Sequence, residues 1–418
     1  MSNIVPNITK RMRYPSYSTF SFRVFLILMI LSTLMFANIF MVVGLPADSG
    51  SRVIGLLWII ITSVFIFSKP IQKINTGYTY LLLIFMLSII LGVFRLISGD
   101  FVYIEQFLTN VLFLATPKII YFVLIYYLIV SLDRMTIHSI FYKYSIMFLL
   151  TIVLSLLLYY IFPMHRFVIY EDGLGPRFAA LHFELVNFSY TLFTAGIIII
   201  YTYFRSKLFH YIGMILLSVV VYKISLSNYV PLFVGAILLS MLLLNVSSRR
   251  LRKTLYLSFF IIMLLVLLAL PLALNFLESY LYLFPRASET LTENDPIFIR
   301  AYRHIFAMQY FFDHILDFPF GLFNGGIDAD LSNIKSWSGG SGLSKIFMDF
   351  GLLTIPFLIL FVQVCLKLVS KINIHNQRDQ MYFILVNISI VYAFMQAGFF
   401  NLTVTTIFLL SIRYWRII

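Results

Sequence analysis

Charge and cysteine are scarce in this chain. Charged residues make up 11% of 418, and the single cysteine, Cys365, sits inside an apolar run. One thiol closes no intramolecular disulfide and builds no thiolate metal site. Acids are scarcer than bases, 17 Asp and Glu against 30 Lys and Arg, for a net charge of +13. Such a balance can signal nucleic acid, but here the cations fall in short clusters between apolar runs, the pattern by which membrane proteins fix their orientation. No nucleic-acid partner is expected. Phosphate-loop, dinucleotide, zinc-protease and nucleophile-elbow signatures are all missing: there is no P-loop, G-x-G-x-x-G, H-E-x-x-H or G-x-S-x-G. The expectation is therefore no cofactor and no metal, with any energy for chemistry arriving on the substrate.

What is abundant is apolar surface. Hydrophobic residues reach 61% and the mean hydropathy is +0.96, far outside the range of soluble domains. A membrane span takes about 20 mostly apolar residues. That rule yields twelve candidate spans, near 24–44, 53–68, 78–97, 107–131, 144–162, 183–204, 208–222, 228–246, 255–277, 343–366, 381–399 and 402–416. The chain is read as an all-α integral membrane protein, a single polytopic domain over 1–418. The first run lacks a small-residue cleavage pattern and is read as a signal anchor.

Lys and Arg collect in cytoplasmic loops. With the N-terminus inside, Lys10 to Arg23, Lys69 and Lys73, Arg134 and Lys143, Arg205 and Lys207, Arg249 to Lys253, Lys367 to Arg378, and Arg413 and Arg416 all fall inside, while among the acids only Asp133 and Asp379 do. Both termini are expected in the cytoplasm. The opposite face then carries two larger loops, 163–182 and 278–340.

The longer of these holds the main polar interval. Asp295 and Pro296 read as an N-cap and first helical position, and Ile297, Ala301, Ile305, Met308 and Phe312 recur at helical spacing. Arg300, Arg303 and His304 take a different flank of that helix. Neighbouring cations repel unless an anion joins them, so this flank reads as an anion site, although nearby acids offer salt bridges instead. Arg177 follows Gly175-Pro176 in the other loop and has two readings. One is an interfacial anchor paired with Glu171, Asp172 or Glu184; the other is a phosphate ligand, since a guanidinium matches phosphate oxygens with paired hydrogen bonds. Lys223, Ser225, Ser227 and Asn228 interrupt the apolar pattern and form either the outer turn of a helical hairpin or the floor of a cavity. Trp337 and other loop aromatics suit sugar faces or the membrane interface.

Four segments together carry a family resemblance: Arg177-Phe178 leading to Asn187, Ser225-Leu226-Ser227-Asn228, Arg300 with Asp317-x-Pro319-x-Gly321, and Asp349-Phe350-Gly351-Leu352. In order and spacing they resemble the bacterial O-antigen polymerase and ligase superfamily, over about residues 175 to 352. The resemblance implies a GT-C-like fold and a metal-independent membrane glycosyltransferase, a Wzy-type polymerase. Its substrates would be oligosaccharide repeats on undecaprenyl diphosphate in the bacterial inner membrane, with a chain-length regulator as a partner and the active face periplasmic. Arg177, Arg300 and Arg303 would hold the diphosphate. His304, Glu184, Asp328 and Asp330 are candidates for the proton acceptor, with Lys223, Ser227, Asn228, Asp328, Asp330 and Trp337 toward the glycan. Ligases of this type carry a histidine before the acid-x-Gly-Leu segment. Here Trp337 to Gly342 has none, which favours polymerase over ligase. Where the superfamily often has Ser-Arg this chain has Ser227-Asn228. The alternatives are a ligase, or a flippase for lipid-linked oligosaccharides. The latter would place ionisable groups mid-membrane, where the spans here carry almost none.

Overall fold

Asp133 turns an exposed loop into a helix: its side chain accepts the Thr136 N–H at 2.8 Å and its backbone is extended, the geometry of an N-cap. The helix it starts, α2, runs Arg134–Ile161, after α1 at Tyr17–Ser32. A short hairpin follows, β1 Ile169–Asp172 and β2 Gly175–Phe178, then α3 Leu185–Tyr203, α4 Lys207–Ser225, α5 Val230–Asn245 and α6 Arg249–Leu281. The last part has α7 Gly342–Phe350, a single 3-10 turn Gly351–Leu353, α8 Thr354–Lys371, α9 Gln377–Met395 and α10 Leu402–Tyr414. This computed structural model describes 17–39, 124–162, 169–172, 175–182, 184–227, 229–281, 342–395 and 401–417, with scattered positions in 57–90 and 304–321.

The protein is mostly helical, and among the described residues four helices are long and apolar enough to cross a membrane: Arg134–Ile161, Leu185–Tyr203, Lys207–Ser225 and Gly351–Lys371. Val230–Asn245 and Leu402–Tyr414 are apolar but shorter. The candidate spans in 53–68, 78–97 and most of 107–131 lie largely outside the described residues. Several boundaries differ from hydropathy. α2 begins ten residues before the apolar run at 144, and its 28 residues make about 42 Å of helix against a hydrocarbon core of about 30 Å. The segment 163–182, read as a loop, contains the hairpin. The run at 24–44 is helical only to Ser32, after which 33–39 is turn and 3-10 structure.

Hydrogen bonds define two ends. At one end Arg134 Nε donates to the Tyr414 carbonyl, Lys371 Nζ to those of Trp415 and Arg416, and Gln377 Nε2 to that of Arg205. Arg23 bonds Ser131 there too. At the other end Asn38 Nδ2 donates to the His182 carbonyl at 2.7 Å, and Ser189 Oγ to Ser225 Oγ at 2.9 Å. α1 and α2 thus run the same way, whereas from α2 to α5 and from α8 to α10 successive helices alternate in direction.

α9 occupies the middle of the bundle, packed by α3, α5, α7 and α10, and every residue from Asp379 to Phe394 is buried. Lipid tails are as apolar as leucine, so helices in a bilayer are held by close packing and interhelical hydrogen bonds of roughly 0.6–1.7 kcal/mol each. α9 makes several. Ser389 bonds Tyr190 of α3 at 2.8 Å, and Tyr392 donates to Asn187 of α3. Asn387 accepts from Tyr256 of α6 at 2.6 Å and donates to Ser240 of α5 at 2.8 Å. α2 and α4 instead present Leu149, Leu150, Val153, Leu157, Ile215 and Leu216 outward, an apolar exterior suited to lipid.

Candidate functional site

The hairpin is held at its end of the bundle by aromatic packing. β1 and β2 pair antiparallel with Tyr170 opposite Arg177, and β2 lies against α4. Phe178 meets Phe188 of α3 edge-on, with centroids 5.5 Å apart. These contacts fix the strand that carries Arg177, whose side chain is only 9% exposed. A guanidinium is rarely buried without partners, and this one is held against the protein rather than left in water.

Next to it the chain turns through Ala180, whose φ of 51° is in the left-handed region, and delivers His182 to a fully buried position between the rings of Phe148 and Phe188. Nδ1 lies 3.2 Å from the Ala179 carbonyl, so the proton sits on Nδ1 and Nε2 is the acceptor. Nε2 is buried with no hydrogen-bond partner among the described residues. Burial lowers the imidazole to about 3, partly opposed by the Ala179 carbonyl. His182 is therefore neutral at physiological pH and a weak base.

The α4–α5 connection sits at the same end. Leu226 adopts the left-handed conformation at φ 45°, and Ser225 and Ser227 are buried while bonding inside the protein: Ser225 to Ser189 and to the Val221 carbonyl, and Ser227 through its carbonyl to the Val230 N–H. These are the contacts of a helical-hairpin turn. Lys223 is exposed in the last turn of α4, where a cation complements the helix dipole. Glu184 stands at the N-cap of α3 with an extended backbone, makes no side-chain cap, and is partly exposed.

Two of the four motif segments meet directly. The Leu352 N–H donates to the Pro319 carbonyl at 2.7 Å, and Gly351 has a φ of 55°. A Cβ on Gly351 would overlap the Pro319 carbonyl oxygen and the Gly321 nitrogen and lie 2.7 Å from the Pro319 carbonyl carbon. Only glycine permits this crossing of two backbones. The Pro-x-Gly end of the large loop is thereby clamped to the break between α7 and α8.

The helix before that junction corrects one expectation. Positions 304, 307–309 and 311–313 are helical, with His304, Ala307, Met308 and Phe311 buried and Phe312 exposed. His304 therefore belongs to the inward stripe, at spacings of three, four and seven, and not to a separate cationic flank. Phe311 packs on Phe347 of α7 at 5.4 Å. Arg300, Arg303, Asn228, Asp328, Asp330 and Trp337 lie outside the described residues, so their approach to Arg177 is not described.

Sequence reasoning passed over the α9 contacts. Asn387, Ser389 and Tyr392 are polar groups within an apolar run, and that alone was a signal that this helix is surrounded by protein. No family model, curated protein or solved structure matches the chain.

Proposed function

We propose that the protein is a bacterial inner-membrane polysaccharide polymerase. It joins oligosaccharide repeats carried on undecaprenyl diphosphate into O-antigen or a related surface glycan. The acceptor hydroxyl attacks the anomeric carbon of the donor, the bond from that carbon to the diphosphate oxygen breaks, and the lipid diphosphate leaves with the bonding electrons. The hydroxyl proton passes to a carboxylate or imidazole, with Glu184 and His304 as candidates. Arg177, Arg300 and Arg303 stabilise charge growing on the leaving diphosphate. In this reading Asp328, Asp330, Trp337, Lys223, Ser227 and Asn228 contact the glycan.

One observation carries the reading: the described parts of the motif segments gather at one end of the bundle. The buried Arg177 is on a strand packed against α4, the Ser225–Ser227 turn closes that helix, and the helix end at Pro319 is locked to Gly351. An arginine kept in a partly apolar setting, beside a membrane, suits an anion that itself arrives on a lipid.

Supplying lipid-linked repeats to the purified protein in proteoliposomes tests it. A ladder of longer glycans is expected. Transfer onto a lipid A core without lengthening would make it a ligase, and passage across the bilayer without bond formation would make it a flippase.

A further inference from the structure

A second polar region lies at the opposite end of the bundle, the one that the charge distribution assigns to the cytoplasm. There an open cavity of about 740 Å³ is lined by Arg134 from the start of α2, Gln377 and Arg378 from the start of α9, and Asn373, His375 and Asn376 between α8 and α9. Both guanidiniums border this cavity. Arg134 donates from Nε to the Tyr414 carbonyl at 3.0 Å and stacks over the Tyr414 ring at 5.2 Å, and Arg378 reaches Met135 Sδ at 3.4 Å. Among the described residues neither guanidinium is bonded to a carboxylate.

The nearby acids are engaged elsewhere. Asp379 is 5% exposed, and its Oδ2 accepts the Asn373 N–H at 2.8 Å and the Trp415 Nε1–H at 3.1 Å. Asp133 caps α2. Neither lines the cavity, so its charge stays positive, and the N-terminal end of α9 adds a small field of the same sign. Topology alone explains why cations are on this side. It does not explain why two of them, from helices distant in sequence, line one polar cavity from which the nearby acids are turned away.

We propose that this cavity binds a phosphate anion, presented by an anionic phospholipid headgroup or as soluble phosphate. Basic pockets between helices on the cytoplasmic side commonly take such groups, and guanidinium matches phosphate with short, charge-assisted hydrogen bonds. The amide side chains supply neutral donors. The site stands apart from glycan polymerisation and survives if that reading fails.

The test titrates short-chain phosphatidylglycerol, the phosphatidylcholine of equal chain length, and inorganic phosphate into the purified full chain in neutral detergent. Arg134→Gln, Arg378→Gln and, as a control for general basic charge, Arg250→Gln are compared with wild type. Phosphatidylglycerol is expected to bind wild type about tenfold more tightly than either cavity variant, with Arg250→Gln unchanged and phosphatidylcholine weak throughout. Inorganic phosphate binding as tightly, with the same arginine dependence, would support the site and identify soluble phosphate as its source. Because Arg134 also holds Tyr414, the exposed Arg378 decides the matter if Arg134→Gln fails to fold. Equal binding by wild type and Arg378→Gln, or an equal loss in Arg250→Gln, overturns the proposal.

Discussion

Replacing Gly351 with alanine should open the junction between the large loop and the α7–α8 break. Two costs add. At φ 55° an L side chain sits in the left-handed region, about 1–2 kcal/mol. The new Cβ also collides with the backbone of Pro319 and Gly321, which no rotamer change relieves, for about 1–3 kcal/mol of overpacking. If the chains part, the 2.7 Å bond from Leu352 N–H to the Pro319 carbonyl is lost, about another 1 kcal/mol. The expected total is about 3–6 kcal/mol. Gly235 is the internal control, since a Cβ there meets nothing within 4 Å and it lies inside α5. Gly235→Ala should be neutral or stabilising by about 0.5–1 kcal/mol. Unfolding temperatures of the three proteins in one detergent, read by tryptophan fluorescence, compare them directly. Gly351→Ala unfolding at the same temperature as Gly235→Ala would refute the clamp.

Two further outcomes follow from the buried polar groups. His182 has its folded pKa held down to about 3 against an ordinary 6.5, so the unfolded chain binds the extra proton and stability falls as pH drops below about 6.5, continuing toward 3. At pH 4.5 this amounts to about 2–3 kcal/mol, and His182→Gln should remove that part of the acid sensitivity in unfolding temperatures measured at pH 7.5 and 4.5. Tyr392→Phe deletes the donor to Asn187 and leaves a buried acceptor, a loss of about 1–2 kcal/mol; a lowered melting temperature without change in oligomeric size is the expected readout.

The helical, strongly apolar class was legible because long apolar runs report it directly. Helix lengths were not. Hydropathy marks what is apolar, and α2 continues through Arg134, Thr136, His138 and Lys143 because Asp133 supplies a cap, a signal that apolar averaging discards. The placement of α9 at the centre was hidden for another reason: a helix apolar on all sides can face lipid or protein, and only Asn387, Ser389 and Tyr392 distinguished the two. The helix at 304–313 admitted two apolar stripes. The one through Met308 and Phe312 was chosen from the sequence, whereas the fold buries His304, Ala307, Met308 and Phe311 and exposes Phe312. Of the candidate site, Arg177, Ser225 and Ser227 lie at one end of the bundle, and the segment at Pro319 meets Gly351. The left-handed turn at Ala180 and the burial of His182, whose Nε2 has no hydrogen-bond partner among the described residues, depend on tertiary contacts that no local pattern encodes.

The central claim is that Arg177 acts on a lipid diphosphate, and glycan-ladder formation from lipid-linked repeats by Arg177→Ala and Arg177→Lys tests it most directly. Arg177→Ala should slow chain extension by about 100-fold or more, the loss typical of removing one group that stabilises a developing anion. Arg177→Lys keeps the charge but loses the paired donors and should fall between the two. A ladder formed by Arg177→Ala at the wild-type rate, from protein of unchanged unfolding temperature, would contradict the account.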